Sequence, residues 1–191
     1  VVAVVGSVGA SGGYMVALAT DHIIARKGSI MGSIGVMLQT VEITDLAAKL
    51  GIGLTTLKSG VNKGIPSPFE KLNPTARQVV QETITESYDI FVKMVSDRRN
   101  LDIQEVYTLS DGRVYTGLQA HKHNLIDTIG GEKEALDWLH NTKNISTKLP
   151  IKNITIRNDT PKLQRLLSFI WKDASVFFSS SPYSGGIMAL W

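Results

Sequence analysis

Val1-Val2-Ala3-Val4-Val5-Gly6-Ser7-Val8-Gly9-Ala10-Ser11-Gly12-Gly13-Tyr14-Met15-Val16-Ala17-Leu18-Ala19 is the stretch that decides the fold class. The small and β-branched residues at 1–5 suit a buried strand, and Met15 to Ala19 read as a buried helix. Between them Gly9, Gly12 and Gly13 flank a single serine, so Ser11 falls on a glycine-lined strand-to-helix turn. Such a turn aims backbone N–H groups and the positive end of a helix at whatever lies before the hydroxyl. The glycines also keep side chains away from an approaching backbone. Alone, the pattern fits a plain tight connection as well as it fits a nucleophile.

Working outward, the sequence predicts a strand at 22–26, a Gly-rich stretch holding Gly28, Gly32 and Gly35, and a strand at 34–38. A helix follows at 43–50, with Thr44 or Asp45 near its cap and Gly51 as its stop, then a short strand at 54–58 and a Gly/Pro loop to Pro68. Val79, Ile84, Tyr88, Phe91, Val92 and Val95 recur at helical spacing, which predicts a long helix from Asn73 (cap) and Pro74 to Arg99. Helices at 102–109, 117–123 and 131–141, a turn at Asp111-Gly112 and a strand at 125–126 complete the body. Strands alternating with helices indicate an α/β fold with a largely parallel sheet. Composition shifts to Asn, Thr, Lys and Ser after Asn141, so the expected division is a domain at 1–145 and a peripheral extension at 146–191. In that extension Leu163, Leu166, Leu167, Ile170 and Trp171 form an apolar helical stripe.

The 191 residues are 43% hydrophobic and 19% charged, an ordinary globular composition. A net charge of +3 with scattered basic residues gives no footprint for nucleic acid. The sequence contains no cysteine, which excludes disulfides, thiolate metal sites and a cysteine nucleophile. Val1 to Val5 reads as a core strand met at once, without a preceding loop. The chain is therefore expected to be the downstream part of a longer polypeptide that carries a membrane anchor or targeting segment.

A serine nucleophile needs a base. His22 lies eleven residues on, about 16 Å away along a helix. His121 and His123 sit in a polar helix end, and His140 closes an amphipathic helix. None suits a Ser-His-Asp triad, and no third ligand accompanies the 121/123 pair to make a metal site. Lysine remains. Lys63 lies in Lys58-Ser59-Gly60-Val61-Asn62-Lys63-Gly64-Ile65-Pro66, a rigid loop, where burial without an acidic partner would yield the neutral amine that a general base requires. An ordinary exposed loop lysine is the competing reading of the same spacing.

Gly9 to Tyr14, Gly32-Ser33-Ile34-Gly35-Val36, Lys58 to Lys63, and Asp111-Gly112-Arg113-Val114-Tyr115-Thr116-Gly117-Leu118-Gln119-Ala120 are four ordered segments spread over residues 1–140. Together they resemble the signal peptide peptidase A (protease IV) family. The resemblance implies a serine–lysine peptidase of the ClpP/crotonase-like fold. Ser11 would be its nucleophile, Lys63 its general base and Ser33 the residue orienting the lysine amine. The N–H of Gly12 would be an oxyanion donor, and Gly9, Gly13, Gly32 and Gly35 would line the substrate groove. In the family a second oxyanion donor comes from a Gly-Gly loop upstream of the nucleophile strand, which is not within these residues. Asn124 stands where a glycine is usual, a place where a left-handed backbone is tolerated.

The resemblance further implies cleaved signal peptides or other extended apolar peptides as substrates, and no metal or organic cofactor. It implies a homo-oligomer at the bacterial inner membrane, its catalytic domain facing the extracytoplasmic side and its anchor upstream of Val1. The rival expectations are a catalytically incomplete scaffold of the same fold and a crotonase-type acyl-CoA enzyme.

Overall fold

The computed structural model describes residues 1–152 and 154. The extension's apolar stripe and the rest of the tail lie outside them. A compact unit spans Val1–Asn144, and a second begins at Ile145. The first opens with β1 (Val2–Val5) and β2 (Val8–Ala10), continues through α1 (Gly12–Leu18), and repeats the pattern with β3 (His22–Ala25) and β4 (Ile30–Gly32). After α2 (Thr44–Lys49) come α3 (Pro74–Arg99), α4 (Ile103–Leu109), β5 (Val114–Thr116), α5 (Gly117–Lys122), β6 (Thr128–Ile129) and α6 (Glu132–Lys143).

Each pass of the chain contributes one strand to each of two sheets. β1 pairs in parallel with β3, which pairs in parallel with β6. β2 pairs in parallel with β4, and β4 takes β5 antiparallel on its other edge. Ser29 stitches the passes together where both step between sheets, its buried hydroxyl donating to the carbonyls of Val5 (3.2 Å) and Gly6 (2.6 Å). The result is the mixed, mostly parallel α/β architecture expected of a ClpP/crotonase-like chain. Its core joins Tyr14 and Leu18 of α1 to Ile23 and Met31 of the sheets, Phe91, Val92 and Val95 of α3, and Leu125 and Ile126.

α3 forms where its cap and stripe place it. Asn73 accepts from the N–H of Ala76 at 2.8 Å, Pro74 fills the first turn, and Asn100 closes the helix at φ 52°. Asn124 does take the left-handed backbone, at φ 56°. Gly51, at φ 70°, follows the end of α2.

Several strands differ from expectation. Residues 34–38 form no strand, because Ser33 turns the chain at φ 51° and only Ile34 stays fully buried. Residues 54–58 form none either: Leu54 and Leu57 are exposed, and no strand among the described residues offers them a ladder. Leu125 and Ile126 are buried consecutively, the N–H of Leu125 closing α5 onto the Ala120 carbonyl, and the strand starts at Thr128. The cap of α2 is Ile43, and Thr44 N–H is met by the Glu42 carboxylate.

Candidate active site

Ser11 is the residue between β2 and α1, and its backbone sits at φ 51°, ψ −122°. A non-glycine residue in that region is strained and persists because its surroundings impose it. Here they do: Ser11 N–H donates to the Gly32 carbonyl at 2.7 Å, and the Ser11 carbonyl receives the N–H groups of Tyr14 and Met15. A serine on such a sharp strand-to-helix turn is the arrangement of a nucleophile elbow. Its Oγ is buried and has no hydrogen-bond partner among the described residues.

A cleft of about 360 Å³ adjoins it, lined by Ser11, Ser33, Gly35, Val36, Met37 and Tyr88 together with the turn Ser110-Asp111-Gly112. The 33–35 wall and the 110–113 wall are locked together. Ser33 N–H donates to the Arg113 carbonyl at 2.8 Å, and a Cβ on Gly35 would lie 3.3 Å from the Cα of Gly112. Gly32 is required where the walls meet: it has φ 75°, and a Cβ there would lie 2.5 Å from the Tyr115 ring. Gly9 is buried in β2, whereas space is open beside Gly13. Gly12 begins α1, where helix geometry leaves its N–H without an intrahelical acceptor.

Charge at the cleft comes from its rim. The Arg113 guanidinium hydrogen-bonds the Asp111 carboxylate and holds its pKa down to about 2, so Asp111 is anionic throughout the neutral range. Burial raises the Tyr88 phenol, and the nearby Asp89 and Asp111 charges raise it further. No histidine lines the cleft. His22 is structural: it stacks on Trp138 with centroids 4.6 Å apart and bonds Thr128 Oγ1 through Nε2 at 2.9 Å.

The structure brings Ser11, Ser33, Gly35 and the turn at 110–112 to one cleft, and it does not bring Lys63 there. Lys63 is exposed on the turn at 61–64, its N–H bonded to the Gly60 carbonyl at 3.0 Å. Its ammonium has no ion-pair partner among the described residues. Lys58, the other lysine of that motif, is part-buried and tied to Glu70. Tyr88, Met37 and Ser110 are cleft residues that sequence reasoning did not single out. Only Tyr88 carried a signal, as a polar-tipped member of the α3 stripe. A larger groove, about 830 Å³, runs along the outward face of α3 and holds none of the candidate residues.

Among the described residues there is no cluster of three or more metal-ligating side chains, and no helix is long and apolar enough to cross a membrane. A model of the family described as peptidase family S49 matches residues 1–146. A putative protease of Methanocaldococcus jannaschii is 41% identical over 146 residues, covering 76% of this chain and 47% of that protein. A putative protease of Synechocystis is 36% identical over 166 residues, with coverages of 87% and 60%. A putative signal peptide peptidase of Enterococcus faecium is 38% identical over 151 residues, with coverages of 79% and 43%. The chain thus spans about half the length of the curated relatives it matches.

Proposed function

The chain belongs to peptidase family S49, and we propose that it forms the catalytic part of a serine endopeptidase with Ser11 as nucleophile and Lys63 as general base. The observation that carries this reading is the Ser11 hydroxyl: strained into place at a strand-to-helix turn, beside a cleft, with no partner of its own. Holding a buried hydroxyl unpaired costs about 1–3 kcal/mol, a cost that a purely structural serine would shed by rotating to a carbonyl.

The chemistry follows from the groups present. The neutral Lys63 amine accepts the Ser11 proton as Oγ bonds to the scissile carbonyl carbon. The Gly12 N–H stabilises the resulting oxyanion. Collapse breaks the C–N bond, the proton passes from Lys63 to the leaving amine, and an acyl-enzyme remains. Lys63 then takes a proton from water, which attacks the ester and returns the Ser11 hydroxyl. Ser33, on the cleft wall, orients the amine. This sequence requires the exposed 61–64 turn to deliver Lys63 into the cleft, either within one chain or from a neighbouring copy. Lys58 is a poorer candidate because Glu70 already engages it.

The substrate class we assign is the cleaved signal peptide or another extended apolar segment. Val36 and Met37 give the cleft apolar walls, and the Enterococcus relative bears the name of a putative signal peptide peptidase. A homo-oligomer at the bacterial inner membrane, open to the extracytoplasmic side, would meet such peptides. One observation favours a second reading, a non-catalytic scaffold of the same fold: Lys63 stands outside the cleft.

Hydrolysis of a synthetic signal peptide by the intact protein decides between them. The peptidase yields internal cleavage that Ser11→Ala and Lys63→Ala each reduce by at least about 10³-fold. A scaffold leaves the peptide whole.

A further inference from the structure

Two buried hydroxyls have no hydrogen-bond partner among the described residues, and both belong to the wall of one cleft: Ser11 and Ser110. The nucleophile accounts for the first. Ser110 has no place in the chemistry so far, yet it is only 2% exposed. Unsatisfied polar groups at such depth are rare in native proteins and are retained where they do something.

Ser110 is also held rigidly. It caps the C-terminus of α4, and its N–H donates to the Tyr107 carbonyl at 3.2 Å. The Tyr88 hydroxyl donates to the Ser110 carbonyl at 2.9 Å, and the Tyr115 hydroxyl donates to the Leu109 carbonyl at 2.9 Å. The following turn is fixed to the Ser33 wall by the Ser33 N–H to Arg113 carbonyl bond. A hydroxyl placed by two tyrosines on a preformed wall meets the requirement for a group that positions a reactive partner.

The missing partner follows from valence. A neutral lysine amine carries one lone pair and two N–H bonds. To take the Ser11 proton it must aim the lone pair at Oγ, which leaves two donors to be satisfied by the cleft wall. Ser33 supplies one acceptor. We propose that Ser110 Oγ supplies the other, so that the hydroxyls of Ser11, Ser33 and Ser110 together fill every hydrogen-bonding valence of the amine. Ser110 is then a positioning residue that acts through the lysine. The proposal rests on the serine–lysine reading above.

The test is steady-state peptide hydrolysis by the intact protein and its Ser110→Ala and Ser110→Thr variants, with melting temperatures measured alongside. Ser110→Ala lowers kcat roughly tenfold, the equivalent of one lost hydrogen bond, and leaves KM within about twofold. Its melting temperature is unchanged or higher, since the hydroxyl removed had no partner in the fold. Ser110→Thr keeps the oxygen and restores most of the rate. A Ser110→Ala enzyme with wild-type kcat overturns the proposal, as does a loss confined to KM or a rate that Thr does not restore. Failure of the underlying reading looks different: the wild-type protein then neither cleaves peptide nor reacts with a fluorophosphonate at Ser11.

Discussion

The backbone N–H of Ser11 donates to the carbonyl oxygen of Gly32 at 2.7 Å, across the parallel pair in which Ala10 faces Gly32. Both residues have positive φ, 51° for Ser11 and 75° for Gly32, and Ser33 follows at 51°. Two turns that are each unfavourable alone therefore hold one another. The geometry of Ser11 depends on a residue 21 positions further along the chain as much as on its own glycines.

Gly32→Ala tests that dependence. The new Cβ would meet the Tyr115 ring at 2.5 Å and force a left-handed backbone on alanine. We expect a loss of about 2–4 kcal/mol, a fall in melting temperature of roughly 6–12 °C, and activity reduced further than stability alone explains. Thermal unfolding with parallel kinetics checks it.

Ser11→Gly should separate stability from function. It removes both the orphaned hydroxyl and the positive-φ penalty, so the variant is expected to be about 1 kcal/mol more stable than wild type while losing all hydrolysis. Chemical denaturation measures the first effect and a peptide assay the second. A clear loss of stability would mean that Ser11 serves the fold.

Much of this was legible in the sequence where local chemistry dominates. Asn73-Pro74 and the Val79-to-Val95 stripe mark α3 at both ends, and the glycines around Ser11 mark the turn. Apolar runs were misleading where no ladder formed: Leu125 and Ile126 are core residues of a helix exit, and Leu54 and Leu57 are simply exposed. Ser110 was invisible. Nothing in Leu109-Ser110-Asp111-Gly112 distinguishes a solvated turn serine from a buried one, because the contacts that set it are distant in sequence: the Tyr88 hydroxyl that meets the Ser110 carbonyl lies 22 residues away.

Acid stability should be governed by the cluster of His22, Arg99 and Asp127. Burial depresses the His22 pKa, against the pull of the Asp127 charge. For Asp127 burial acts upward, but hydrogen bonds from Arg99 and the Ile23 N–H outweigh it, and the net shift is downward. Both folded-state values lie below the unfolded ones. Each contribution is therefore complete above the unfolded value, about 6.5 for His22 and about 3.9 for Asp127, and is lost as pH falls through the folded value. Melting temperature should decline below about pH 6.5 and again below about pH 4. His22→Gln should flatten the upper decline; stability that rises between pH 7 and 5.5 would contradict the assignment.

The central claim, that Ser11 is a nucleophile switched on by the lysine at 63, is tested most directly by intact mass spectrometry after treatment with a fluorophosphonate. The account predicts a single adduct mapped to Ser11, absent in Ser11→Ala, lost or strongly slowed in Lys63→Ala, and retained in Lys58→Ala. An unmodified wild-type protein, or an adduct that forms at the same rate without Lys63, would contradict it.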